Sequence, residues 1–287
     1  MAFKGQQGLG REPHWDLVKR IITESDLVLE VLDSRLVELS RNEEVERLIE
    51  NIGRPMIFVI NKSDLVPIEK IKEQADKLRE KGEVVFISTK KKGSGKILLY
   101  MIKKVFKKYG KREFEVRDKF DKKPQYREAR ADIVVGVLGY PNVGKSSIIN
   151  ILAHKKKAKV SKKSGTTHGI HWISINPEIK LIDSPGVIPL QKEDEIRYGL
   201  IGAKDTEALK NPEIVAYAII KLFLEKNQKA FEEFYKIDMT AMTGSVEDII
   251  NKIAEKKSYL LKGGIFDENR AIMVIVRDWQ QGKLRLS

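Results

Sequence analysis

Residues 139–146 read Gly-Tyr-Pro-Asn-Val-Gly-Lys-Ser: two glycines separated by four residues, then Lys145 and Ser146. The run before them, Ile-Val-Val-Gly-Val-Leu at 133–138, is short, apolar and rich in β-branched residues, the pattern of a buried strand. Residues 147–152 after them read as a helix. A glycine loop joining a strand to a helix is a phosphate-binding P-loop. Its backbone N–H groups and the helix N-terminus surround a phosphate chain. Lys145 then reaches the β and γ phosphates, and the Ser146 hydroxyl is offered to Mg2+. A chain with this loop is expected to fold as a three-layer α/β/α domain with its ligand at the C-terminal ends of the strands.

Two further stretches complete a nucleotide site. Downstream, Leu181-Ile182 leads into Asp183-Ser184-Pro185-Gly186, an apolar strand ending in Asp-x-x-Gly. Such an Asp can hold Mg2+ through water, and such a Gly can give its N–H to the γ-phosphate. Upstream, the apolar run 56–60 ends in Asn61-Lys62-Ser63-Asp64. At a strand end, Asp64 can accept both guanine N1–H and N2–H. Adenine offers neither donor there, so the pair of bonds selects GTP and GDP. A second strand at 83–87 ends in Ser88-Thr89-Lys90, similar to the Ser-Ala-Lys element that closes over guanine. The candidate nucleotide residues are therefore Asn61, Lys62, Ser63, Asp64, Ser88, Thr89 and Lys90 for the base. For the phosphates they are Asn142, Val143, Gly144, Lys145, Ser146, Ser147 and Gly186.

The order of these motifs is inverted: base recognition comes first and phosphate binding second. That order resembles the circularly permuted GTPases, specifically the YlqF/RbgA and YawG group of ribosome-assembly GTPases. The resemblance covers residues 14–200 by motif and reaches the C-terminal end through Lys262-Gly263-Gly264 and Asp278-Trp279-Gln280. It implies a permuted P-loop fold with a small C-terminal helical domain. It also implies GTP hydrolysis and a large-ribosomal-subunit partner. In Ser164-Gly165-Thr166-Thr167 it favours Thr167 over Thr166 as the switch threonine that ligates Mg2+ and senses the γ-phosphate. Lys145, Thr167 and Gly186 are thus the catalytic candidates. The position where Ras-type enzymes place a water-orienting glutamine is Val187 here. An apolar side chain cannot orient water. An N-terminal histidine serves in the family, and His14 is its nearest counterpart, about one helical turn closer to the following strand. Asn142 stands where potassium-activated GTPases hold K+.

Composition narrows the partners. The chain of 287 residues carries a net charge of +13, which suggests a polyanion such as rRNA. Residues 103–123 hold ten Lys/Arg against four Asp/Glu, interleaved with Phe106, Tyr109, Phe114 and Phe120. A second basic run comprises Lys155, Lys156, Lys157, Lys159, Lys162 and Lys163. Both are candidate RNA contacts. There is no cysteine, which excludes disulfides and thiolate zinc modules. The start lacks the apolar core of a signal peptide, and no run reaches a membrane span of roughly 18 residues. A cytoplasmic monomer is expected, with a GTPase domain at 1–204, a basic linker near 110–130 and a helical RNA- or ribosome-binding domain at 205–287. Two other functions fit the same letters: an RNA-binding assembly scaffold whose nucleotide hardly turns over, and a P-loop phosphotransferase. The guanine motif argues against the latter.

Helix signals are explicit. Asn42, Asn211, Ser245 and Asp267 are expected N-caps, with Pro212 at a first turn. In the helix expected at 93–109, Ile97, Leu98, Met101, Ile102 and Val105 share the apolar side. Trp279 is read either as core packing or as part of an RNA face.

Overall fold

The structure, a computed structural model, describes residues 13–111, 133–153, 160–161, 170–183, 194–239 and 245–286. Helix α1 (Pro13–Glu24) leads into strand β1 (Leu27–Asp33), the short helix α2 (Val37–Ser40) and α3 (Glu43–Ile52). Then come β2 (Met56–Asn61), α4 (Ile68–Arg79), β3 (Glu83–Phe86) and α5 (Ser94–Tyr109). The second half of the sheet brings β4 (Ile133–Leu138), α6 (Lys145–Leu152), β5 (Val160–Ser161), β6 (His171–Ser174) and β7 (Ile179–Asp183), followed by α7 (Glu195–Leu200). A 3-10 turn (Thr206–Ala208) precedes α8 (Pro212–Lys226), α9 (Gln228–Tyr235), α10 (Val246–Lys256) and α11 (Glu268–Gln280).

The sheet runs β3-β2-β1-β4-β7-β6-β5. Its first five strands are parallel, and β6 and β5 close the edge antiparallel. From β1 the chain moves outward through β2 and β3. It then returns to place β4 on the other side of β1 and moves outward again. The direction of winding reverses between β1 and β4, so their C-terminal ends open the crevice where parallel sheets bind ligands. Helices cover both faces of such a sheet, which is why every residue of β1, β2 and β4 is buried and these strands read as continuous apolar runs. This is the P-loop α/β fold expected from the sequence.

Local chemistry sets the boundaries. The Asn42 side chain accepts the N–H groups of Glu44 and Val45 to start α3, and Gly53 ends it at φ 75°. Ser245 and Asp267 cap α10 and α11 as expected, by accepting from the Asp248 and Arg270 amides. Asn211 differs: its side chain makes no cap bond, and α8 starts on Pro212, whose missing N–H costs nothing at that position. In α5 the buried stripe is Leu98, Ile102 and Val105, while Ile97 is 54% exposed. The i, i+4, i+7 spacing defines that stripe, and Ile97 falls at its rim.

Two apolar clusters form. One packs both faces of the sheet and includes Ile201 and Ala203. The other gathers residues from Leu200 to Leu286 around Phe223, Phe231, Tyr235 and Trp279. The Phe223 and Trp279 rings meet edge to face at 5.8 Å. Trp279 is thus core packing. No helix among the described residues is long and apolar enough to cross a membrane.

One buried acid has a thermodynamic consequence. Glu30, in the middle of β1, is fully buried and accepts the Asn42 N–H at 3.0 Å. Burial first, and then the negative charge of Glu46, push its pKa from 4.5 up to about 8. Between those two values the folded chain holds a proton that the unfolded chain has released. Stability therefore falls as pH rises through that window, by up to about 1.4 kcal/mol per pH unit. Glu30→Gln keeps an acceptor for Asn42 and removes this dependence. Denaturant midpoints at pH 5.5, 6.5 and 7.5 are expected to show the variant gaining on the native chain with each step. A constant gap would place the ionisation elsewhere.

Candidate nucleotide-binding site

The P-loop leaves β4 at Gly139, with φ 143°, and enters α6 through Gly144, with φ 106°. A Cβ on Gly139 would lie 2.6 Å from the Val31 carbonyl oxygen, so only glycine lets the loop pass this close to β1. Asn142 sits between them in the left-handed region at φ 60°. Its amide nitrogen donates to the Gly202 carbonyl at 2.7 Å and to Asp205 Oδ1 at 3.0 Å. Ser146 and Ser147, in the first turn of α6, are exposed, and Val143 is buried.

Lys145 is buried, and its Nζ donates to the Gly139 and Tyr140 carbonyls at 2.8 and 2.7 Å. Burial pulls its pKa down from 10.5 to about 8, while the Asp183 charge acts in the opposite sense. Asp183 ends β7 in register with Val137 of β4, two residues before the loop. The lysine and the Asp-x-x-Gly aspartate therefore belong to one electrostatic site.

The base motif reaches the same crevice from β2. The Asn61 amide donates to the Val143 carbonyl at 2.9 Å, which ties the base loop to the P-loop. Lys62 adopts the left-handed conformation at φ 58°. Its Nζ pairs with Asp33 Oδ2 at 2.8 Å, and its carbonyl accepts the Ser34 hydroxyl at 2.7 Å. The N–H of Ser63 bonds the Ile87 carbonyl at 3.1 Å, which joins the loops after β2 and β3. There the Ser88 hydroxyl donates to Asp64 Oδ1 at 2.7 Å, and Lys90 Nζ lies 3.4 Å from Asp64 Oδ2. Burial works against the Asp64 carboxylate, yet the Ser88 hydrogen bond and the Lys90 charge hold its pKa below the usual value. A charged double acceptor is thus fixed beside the loop end. Thr89 lies next to it, half-buried.

Asn61, Lys62, Ser63, Asp64, Ser88, Thr89, Lys90, Asn142, Val143, Gly144, Lys145, Ser146, Ser147 and Asp183 all stand at the C-terminal edge of the sheet. Thr166, Thr167, Gly186, Val187, the second basic run and most of the linker lie outside the described residues, as does the side chain of His14. Asp33, Ser34 and Arg35 carry no binding role in the sequence reading. In the structure they support the base loop. The available signal was Asp33 at the end of a buried strand followed by Ser34-Arg35, which resembles the Asp-Ala-Arg element after the first strand of the permuted GTPases.

The fold and this crevice define a P-loop nucleotide-binding domain whose Asn-Lys-x-Asp half precedes its P-loop half. A family model described as "50S ribosome-binding GTPase" matches residues 134–261. A GTP-binding protein of Methanocaldococcus jannaschii is 36% identical over 93% of this chain, and the chain spans 65% of that relative's length. Ribosome biogenesis GTPase A of Bacillus cereus is 28% identical, over 94% of this chain and 89% of its own. Nucleolar GTP-binding protein 2 of Pneumocystis carinii is 29% identical, over 94% of this chain and 52% of its own. Among solved structures, GNP-bound YlqF from T. maritima shares the fold, with a TM-score of 0.60 at 20% identity and 96% coverage of each chain. The chain is thus similar to GTPases of the YlqF/RbgA type, and its Asn-Lys-x-Asp stretch precedes its P-loop in the same sheet.

Proposed function

We propose that this protein binds and hydrolyses GTP, and that it uses the nucleotide state to control its attachment to the large ribosomal subunit during assembly. The observation that carries the reading is the Asn61–Val143 bond at 2.9 Å with Asp64 held on Ser88 at 2.7 Å. It makes one crevice of a guanine-type acceptor and a phosphate loop. On binding, Lys145 exchanges the Gly139 and Tyr140 carbonyls for phosphate oxygens, which favours its protonated form. The Ser146 hydroxyl at the α6 N-terminus and the Asp183 carboxylate suit Mg2+, because both are hard oxygen donors beside the lysine. That ion would supply neutralising charge to the β and γ oxygens. Thr167 and the Gly186 N–H are assigned to the γ-phosphate. His14 is a candidate for the attacking water, since the Val187 side chain cannot orient it. K+ is assigned to the Asn142 side-chain oxygen, because the amide nitrogen is engaged by Gly202 and Asp205.

The ribosomal part of the reading rests on the net charge of +13 and on the names of the relatives. We assign rRNA contact to the two basic runs and to the helical unit at 205–287, in a cytoplasmic monomer. The experiment for the nucleotide is a binding panel. GDP is expected to bind far more tightly than ADP, and equal affinities would remove the guanine assignment. The experiment for the partner is a salt titration of binding to large subunits. Neutralising Lys155, Lys156 and Lys157 is expected to flatten the log–log slope by roughly one unit for each phosphate that these lysines pair with. An unchanged slope would return that run to ordinary solvated surface.

A further inference from the structure

We propose that Arg35 is a positioning residue for guanine recognition, through which the C-terminal helical unit sets the base loop and responds to its occupancy. The proposal rests on the guanine reading of Asp64 given above and goes beyond it.

The base loop is held in an unfavourable shape. Lys62 is not glycine, yet it adopts φ 58°. Two bonds keep it there: the Ser34 hydroxyl to its carbonyl at 2.7 Å, and its own Nζ to Asp33 at 2.8 Å. Both partners come from the end of β1 and the turn that follows it, and Arg35 fixes that turn. The Arg35 backbone N–H and Nε each donate to Asp33 Oδ1 at 3.0 Å, and Nη2 donates to Oδ2 at 2.8 Å. Asp33 is 1% exposed and Arg35 4%. Burial works against the Asp33 charge, but the Arg35 guanidinium and the Lys62 ammonium hold its pKa well below the usual carboxylate range.

The remaining Arg35 nitrogen leaves the sheet domain. Nη1 donates to the Trp279 carbonyl in the last turn of α11, and the guanidinium carbon lies 4.3 Å from the centre of the Trp279 ring. A cation at a helix C-terminus and over an indole face is stabilised twice. Trp279 is itself locked between α11 and α7: it is fully buried, and its Nε1–H donates to the Leu200 carbonyl at 2.7 Å. The next residue, Gln280, donates to the Gly199 and Lys204 carbonyls at 3.0 and 2.9 Å. A continuous series of direct contacts thus runs from α11 through Trp279, Arg35, Asp33 and Lys62 to the loop that carries Asp64. Because Trp279, Arg35 and Asp33 are buried and Lys62 is only partly exposed, a shift of the base loop is passed along rather than absorbed by solvent. Coupling of this kind is reciprocal: what α11 does to guanine affinity, guanine does to α11.

The test uses the full chain with Trp15 and Trp172 changed to Phe, so that Trp279 is the one remaining tryptophan. GDP is expected to change the Trp279 emission, and pyrophosphate, which engages only the phosphate loop, is expected to leave it unchanged. Arg35→Lys keeps a charge for Asp33 but cannot fork to both Asp33 and Trp279. It is expected to abolish the emission change and to weaken GDP by about 5- to 150-fold, the usual range for coupled sites, with pyrophosphate affinity preserved. A merely structural role would weaken both ligands alike. If GDP binds without altering Trp279, or Arg35→Lys weakens GDP and pyrophosphate equally, the coupling is refuted while a native preference for GDP over ADP leaves the guanine site standing. Absence of GDP binding by the native chain would remove both. Should Arg35→Lys not fold, the emission of the otherwise native chain decides alone.

Discussion

Asp64→Asn is expected to lower GTP and GDP affinity by about 10⁴-fold, the loss typical of an unpaired group at a buried specificity site. Pyrophosphate affinity should be unchanged. The Asp64 carboxylate is charged, oriented by the Ser88 hydroxyl at 2.7 Å and flanked by Lys90 at 3.4 Å. On the proposed reading it accepts two adjacent donors, guanine N1–H and N2–H. An amide in the same place keeps one acceptor oxygen and sets its own N–H groups against the guanine amino group, donor against donor. The same geometry makes a positive prediction. Xanthine carries an oxygen where guanine carries N2, so the substituted amide can donate to it while its oxygen accepts N1–H. Asp64→Asn should therefore bind XDP more tightly than GDP, the reverse of the native order. Calorimetric titration with GDP, XDP and ADP checks all three. A variant that still prefers GDP would mean that Asp64 does not read the base.

Hydrolysis by the isolated protein is expected to be slow, to rise in K+ and to rise further on the large ribosomal subunit. The Val187 side chain has no group to hydrogen-bond water. A cation held by the Asn142 oxygen beside the phosphates offsets charge that develops during transfer, as an arginine finger does with about 10³- to 10⁵-fold effect. A weakly held K+ gives less, and the ribosomal partner is expected to add more by setting Thr167 and Gly186 against the γ-phosphate. Turnover in matched KCl and NaCl, with and without large subunits, is the measurement. Asn142→Ala should abolish the K+ response and keep GTP binding. Because the Asn142 amide also bonds Gly202 and Asp205, Asp205→Ala is the control. It weakens the tie, leaves the oxygen, and should retain the K+ response. Equal rates in both salts would take the cation out of the mechanism. A fast isolated enzyme would mean that another side chain orients the water.

The parts of the site that depend on neighbouring residues in sequence were readable. Gly139 and Gly144 announce positive φ, the apolar runs announce strands, and Asn61 to Asp64 run in sequence order from the last residue of β2 into its loop. The inverted motif order implies the topology, because the switch between β1 and β4 follows once both halves are placed in one sheet. What stayed hidden is long-range or runs against local preference. Arg35 and Trp279 are 244 residues apart, and no periodicity links them. Lys62 and Asn142 adopt left-handed backbone without being glycine, held by Ser34 and Asp33 in one case and found with Gly202 and Asp205 in the other. Helices α7 and α9 are only six and eight residues long, too short for a full apolar stripe to stand out. Glu30 sits in a strand that is covered on both faces, where an alternating pattern would have placed a charge outside.

Co-sedimentation with purified large ribosomal subunits, in a non-hydrolysable GTP analogue, in GDP and without nucleotide, tests most directly whether this site is a ribosome-assembly switch. Strong retention with the analogue is expected, with weak retention in GDP and little dependence on the analogue in Asp64→Asn. Equal retention under all three conditions would contradict the switch and leave an RNA-binding scaffold whose nucleotide has no influence on attachment.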